Sequence, residues 1–161
     1  MDALELAVKM EKDAISFYTE AARKTKSSSG KKMFQTIALD EQRHLEMITQ
    51  LISGLNITHK DVSPLQNMKT VFASMKDEMM KKVAATSDEL EAFKIAMGME
   101  KEGVAFYKQT LAGAKKEKER VLLEMLIKEE QQHYDLFANT YQFLESTGNW
   151  FLWEERGIVE G

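Results

Sequence analysis

Four glutamates and two histidines stand where the surrounding pattern asks for apolar residues. Glu11, Glu41, Glu100 and Glu130 each interrupt an otherwise apolar helical stripe, and His44 and His133 follow two of them at a spacing of three. Residues three apart share one helix face and can point at a common centre. A buried carboxylate costs several kcal/mol unless it is protonated, paired or bound to metal. A single glutamate on a stripe is ordinarily an edge residue, and a single Glu-x-x-His is common by accident. One glutamate on every stripe, with a histidine on alternate stripes, instead describes a site for two metal ions.

The charge count favours iron. Four carboxylates are balanced by two divalent ions, with both imidazoles neutral. Without metal the clustered glutamates could not all ionise, because like charges raise one another's pKa. Oxygen-rich ligands with one imidazole per ion suit iron or manganese better than zinc, which prefers nitrogen- and sulfur-rich tetrahedra. The expected cofactor is two iron ions per chain, with manganese or zinc as possible substitutes.

Four helical stripes position these residues. The first includes Leu4, Ala7, Val8, Ala14, Ile15 and Tyr18, and the second Phe34, Ile37, Ala38, Leu45, Ile48 and Leu51. The third includes Phe93, Ala96, Met97, Val104 and Tyr107, and the fourth Leu123, Leu126, Ile127, Phe137 and Leu144. Helices are expected at about 3–27, 31–53, 87–112 and 115–146, the third opening on a capping box at Thr86-Ser87-Asp88-Glu89. Short links make helices 1 and 2, and helices 3 and 4, antiparallel hairpins. The long connection 54–86 predicts a crossover, with a helix near 64–84 that starts at Pro64. The expected fold is all-α: a ferritin-like, up-down-down-up four-helix bundle, one domain over 1–161 with a tail at 147–161.

The chain also repeats itself. Met10–Tyr18 aligns with Met99–Tyr107, and Asp40-Glu41-Gln42-Arg43-His44 aligns with Glu129-Glu130-Gln131-Gln132-His133, both at an offset of 89 residues. Two segments sharing one offset imply two similar hairpins related by a pseudo-twofold axis.

Composition narrows the function classes. Apolar residues at 43% and charged residues at 30% describe a soluble globular chain, and a net charge of −4 argues against nucleic acid. There is no cysteine, which excludes disulfides, thiol chemistry and cysteine-ligated iron within this sequence. No uncharged run approaches the ~18 residues of a membrane span, and the acidic start Met1-Asp2-Ala3-Leu4-Glu5 does not resemble a signal peptide. A cytoplasmic location is expected.

With these motifs in view the sequence resembles the ferritin-like di-iron carboxylate proteins, and most of all the rubrerythrin family without its rubredoxin module. The resemblance covers all four stripes. It implies that Glu11, Glu41 and His44 hold one iron, that Glu100, Glu130 and His133 hold the other, and that Glu41 and Glu130 bridge them. It also implies that Asp40 and Glu129 each orient the histidine of the opposite hairpin. Tyr18 and Tyr107, two turns on from Glu11 and Glu100, either hydrogen-bond across the bundle or simply fill the core. One departure is Gly103, where rubrerythrins resemble one another in carrying a seventh carboxylate. The other is the lack of cysteine, so electrons must come from another protein, such as a rubredoxin.

The function that follows is reduction of peroxide or dioxygen in oxidative-stress protection, by a homo-oligomer expected to be a dimer. Ferroxidase activity with iron storage, substrate hydroxylation and a metal-stabilised structural bundle remain open, since fold alone does not separate them. Phe34, Phe93 and Phe137 are expected to crowd the site and leave no substrate pocket. His59 is expected on the surface, and the methionines in packing. Trp150, Phe151 and Trp153 are expected to dock either on the bundle or on a second subunit.

Overall fold

Helix starts follow local chemistry. Helix α1 (Ala3–Lys24) opens on a capping box in which Asp2 accepts the Glu5 N–H and Glu5 reaches back to the Asp2 N–H. Helix α2 (Ser28–Ile52) opens on Ser27, whose hydroxyl accepts the Gly30 N–H at 3.3 Å. Ser28, Ser29 and Gly30, expected in the connection, therefore form the first turn of α2, because Ser27 supplies the acceptor that a helix start needs. Helix α3 (Ser87–Gly113) opens on the predicted Thr86–Glu89 capping box. Helix α4 (Glu117–Thr147) has no side-chain cap at its start and stops at Gly148, whose φ of 74° puts it in the left-handed region.

The computed structural model describes residues 2–55, 85–148 and 150. The expected crossover helix, His59, Phe151 and Trp153 lie outside the described residues.

Helix α1 packs on α2, and α3 on α4; the hairpins meet where α2 touches α4 and α1 touches α3. Crossed hydrogen bonds fix the directions. Tyr18 bonds Glu100 while Tyr107 bonds Glu11, a pattern only antiparallel α1 and α3 can make. His133 meets Asp40 while His44 meets Glu129, so α2 and α4 are antiparallel too. The bundle is all-α and ferritin-like, running up-down-down-up.

Two apolar clusters fill the interior, one toward each end. The first gathers Tyr18, Phe34, Phe93, Phe137, Leu144 and Trp150; the second gathers Ala7, Met47, Ile48, Tyr107, Leu122 and Leu126. Burial of the large aliphatic and phenylalanine side chains among these, each stabilising by roughly 1.5–3 kcal/mol, works against the cost of the polar belt between them. Trp150 docks on this chain's own bundle, only 1% exposed, with its indole N–H donating to Glu89 at 3.0 Å. Glu89 also accepts the Lys26 N–H at 3.1 Å, which ties the start of α3 to the turn between α1 and α2. Among the described residues, no helix is long and apolar enough to cross a membrane.

Candidate metal centre

All six residues singled out by the stripes lie in the polar belt and are between 0% and 5% exposed. Regular helix geometry puts them there: each glutamate occupies an inward position, and each histidine lies one turn further on the same face. They form two overlapping groups, Glu11, Glu41, His44 and Glu130, and Glu41, Glu100, Glu130 and His133. Within each group, one potential ligand atom per residue lies within 4.8 Å of the others. Glu41 and Glu130 belong to both. Each group therefore takes three residues from one hairpin and a single glutamate from the other.

The unsatisfied atoms test whether metal fits. Glu11 Oε2, Glu41 Oε1, His44 Nδ1, Glu100 Oε2, Glu130 Oε1 and His133 Nδ1 are buried without a hydrogen-bond partner. Such atoms are rare in folded proteins, yet here each of the six residues contributes one. His44 Nδ1 approaches Glu130 Oε1, and His133 Nδ1 approaches Glu41 Oε1, both to 3.0 Å without hydrogen-bond geometry. Inward-facing carboxylate oxygens and imidazole nitrogens are the donor set that suits iron or manganese.

The opposite ring nitrogens face outward onto carboxylates. His44 Nε2 lies 3.0 Å from Glu129, and His133 Nε2 lies 2.9 Å from Asp40. A carboxylate can only accept, so each Nε2 carries the proton and each Nδ1 is left to bind a cation. The hydroxyls of Tyr18 and Tyr107 donate across the bundle, to Glu100 at 2.5 Å and to Glu11 respectively. Both therefore touch the cluster and do more than fill the core. Burial, then nearby carboxylates, push both phenols well above their usual range, so they keep their protons.

Clustering redistributes the cluster's protons. Burial, followed by the charge of Glu41, raises Glu11 well above the ordinary carboxylate range. Burial, followed by the charges of Glu100, Glu41 and Glu11, raises Glu130 likewise. Burial opposes ionisation of Glu41 also, but a hydrogen bond from Glu11 and the charge of His44 outweigh it and hold Glu41 low. Burial opposes the charged form of both histidines. The charge of Glu41 and contacts to Glu129 and Glu130 outweigh it at His44, and the charge of Glu100 and the Asp40 contact do so at His133, so both are raised. Protons thus occupy the belt where divalent cations would neutralise it.

Three features escaped the sequence reading. The first is Arg43, whose guanidinium forks onto both oxygens of Glu129 and reaches Asp40 at 3.5 Å. The visible signal was its aligned counterpart, the neutral Gln132. The second is a cavity of about 410 Å³ on the α1–α3 face, lined by Met10, Ala14, Met99, Gly103, Phe106 and the cluster glutamates. The expected absence of a pocket is thereby overturned. Phe34, Phe93 and Phe137 stack in the end cluster with Tyr18 and leave this face open. The third is how closely Gly103 faces the site: a Cβ there would meet Glu130 Oε2 at 3.1 Å. The aligned pair Ala14 and Gly103 supplies the small residues that let the cavity reach the carboxylates.

Comparison with known proteins bears on the fold and the family. No curated protein matches the sequence. A solved structure, a hypothetical protein from Pyrococcus furiosus described as Pfu-1136390-001, superposes with a TM-score of 0.67 at 20% identity, covering 90% of this chain and 89% of that one. At that identity the likeness speaks for the fold. The family model for rubrerythrin matches residues 2–141, nearly the whole described bundle, and the chain belongs to the rubrerythrin family.

Proposed function

We propose that this chain is a di-iron oxidoreductase that reduces peroxide or dioxygen with electrons delivered by another protein. The observation that carries the reading is the convergence of six buried, unsatisfied ligand atoms beneath a cavity open on one face. Two ferrous ions held there would supply two electrons and open coordination positions to an oxidant.

The chain's own residues set the conditions for that chemistry. Glu41 and Glu130, shared by both groups, span the two positions; Glu11 with His44, and Glu100 with His133, complete one position each. Tyr107 and Tyr18 fix the carboxylates of Glu11 and Glu100, and their hydroxyls keep protons beside the centre. Glu129 and Asp40 hold the imidazole rings with Nδ1 inward. The apolar clusters exclude water from both ends, so a small oxidant arrives across the α1–α3 face between Ala14 and Gly103.

Stopped-flow oxidation of the iron-loaded, reduced protein tests the reading. Rapid oxidation by peroxide or dioxygen, repeated when a reduced rubredoxin is supplied, is the expected result. Given excess Fe(II) in air, the desalted protein should keep about two irons per chain, as a two-metal site implies. Retention of tens of irons in a shell-sized assembly would make it a storage protein instead. The cavity volume of about 410 Å³ exceeds what peroxide fills and favours one second reading, oxygenation of a small organic molecule. Oxidant consumption coupled to a hydroxylated product would establish that alternative.

A further inference from the structure

The twofold repeat predicts two equivalent metal positions, but their surroundings are not equivalent. At the α2–α4 contact, Asp40 and Glu129 occupy matched positions and hold His133 and His44 at 2.9 and 3.0 Å. Among the described residues, one guanidinium, that of Arg43, reaches them both. Arg43, its side chain 14% exposed, forks onto both oxygens of Glu129 and touches Asp40 only at 3.5 Å. The residue aligned with Arg43 is Gln132, whose Oε1 is buried without a hydrogen-bond partner. One half of the site therefore has a charge clamp and the other half has none.

The fork has two consequences of the same sign. Glu129 Oε1 is shared between the guanidinium and His44 Nε2, so it is a weaker acceptor for the imidazole N–H. An imidazole whose N–H is held less strongly is less basic at its free nitrogen and binds a cation less well. In addition, the guanidinium bonds both oxygens of the carboxylate that His44 meets and reaches the one that His133 meets only at 3.5 Å, so its positive charge bears more on the His44 position and opposes a divalent ion there. Asp40 keeps more of its charge for His133.

We propose that Arg43 is a positioning residue that breaks the symmetry of the centre, so that the position served by His133 and Glu100 fills first and holds its ion more tightly. The proposal rests on the two-metal reading of the site. Changes to groups behind metal ligands typically alter affinity ~10–100-fold, so the two positions should differ by about tenfold or more.

Zinc titration of the metal-free protein, followed by ring-nitrogen NMR of chain labelled in its histidines, separates the two positions without any turnover. In the wild type the His133 signals should shift before those of His44, in two steps about tenfold or more apart. The charge-preserving exchange Arg43→Gln with Gln132→Arg should reverse that order, and Arg43→Gln alone should merge the steps. Arg43→Lys keeps the charge without the fork and should narrow the gap; it decides the matter if the exchange variant does not fold. An unchanged order in the exchange variant, or an unchanged gap in Arg43→Lys, overturns the clamp alone. A wild type that takes up fewer than two zinc ions overturns the two-metal reading and the clamp with it.

Discussion

Raising the pH should tighten metal binding unusually steeply, because the metal-free centre stores protons where a loaded centre makes metal–ligand bonds. Burial and neighbouring carboxylates raise Glu11 and Glu130, and surrounding carboxylates outweigh burial to raise His44 and His133. Two glutamates and two histidines give up to four protons released per pair of ions. Each released proton adds about 1.36 kcal/mol of binding for every pH unit. The upper limit is therefore about 5 kcal/mol per pH unit while all four groups remain protonated. Chelator competition between roughly pH 6 and 8, with calorimetry in buffers of contrasting ionisation heat, measures both slope and proton count. Stability of the metal-free protein should move the opposite way. Groups raised by folding stabilise below their unfolded values and lose that contribution as pH rises through their folded values. Hence the metal-free protein weakens toward alkaline pH, while in the loaded protein, whose groups have already released those protons on binding, the tighter binding offsets that loss. At the acidic end, burial opposes the charge on Glu129, but His44 and Arg43 hold it down to about 2. Its contribution is present above the ordinary carboxylate range and disappears as pH falls through that lower value. Metal affinity that is flat between roughly pH 6 and 8, with no proton release, would refute the reasoning.

Glu41→Ala or Glu130→Ala should lose both ions, since each removes a residue from both groups, whereas Glu11→Ala or Glu100→Ala should retain one. Metal analysis after dialysis distinguishes these, and equal loss in all four variants rejects the shared role. Asp40→Asn should keep the helical signal by circular dichroism while binding metal ~10–100-fold more weakly, as changes behind a ligand do; wild-type affinity would leave Asp40 without an orienting role. Gly30→Ala should destabilise by ~1–3 kcal/mol through overpacking, although alanine is the better helix former by ~1 kcal/mol. The added Cβ would stand 2.8 Å from the Trp150 ring and 2.7 Å from Thr25 Cγ2. Urea unfolding in a Trp150→Ala background should recover part of that loss, and no coupling between the two sites would count against the docking.

The inward-facing positions were legible because burial and helical period leave a one-dimensional trace. Glu11, Glu41, Glu100 and Glu130 break their stripes, and the repeat pairs them, so no coordinates are needed to see that they face inward. The capping box at Thr86 was equally readable, being local chemistry over four residues. What escaped depends on contacts between helices. Arg43 looks like any exposed helical arginine until α2 and α4 bring Glu129 against it. The open α1–α3 face follows from two small residues, Ala14 and Gly103; the repeat pairs them and Gly103 stood out for its missing carboxylate, but only the fold brings them to one cavity. The large phenylalanines were visible, but nothing in the sequence placed them at one end of the bundle. The destination of Trp150 required Glu89 and Gly30 to come together from different helices.

The division of each group between hairpins reaches into biosynthesis. The N-terminal hairpin supplies Glu11, Glu41 and His44 but lacks the carboxylate of Glu130, which leaves the ribosome almost ninety residues after Glu41. On the two-metal reading, a nascent chain that has formed only its first hairpin would present an incomplete ligand set. Each set would be complete only once α4 has docked, when the two apolar clusters also close around the belt. Maturation would thereby act as its own checkpoint, with the ligand set complete only in a chain whose core has also closed.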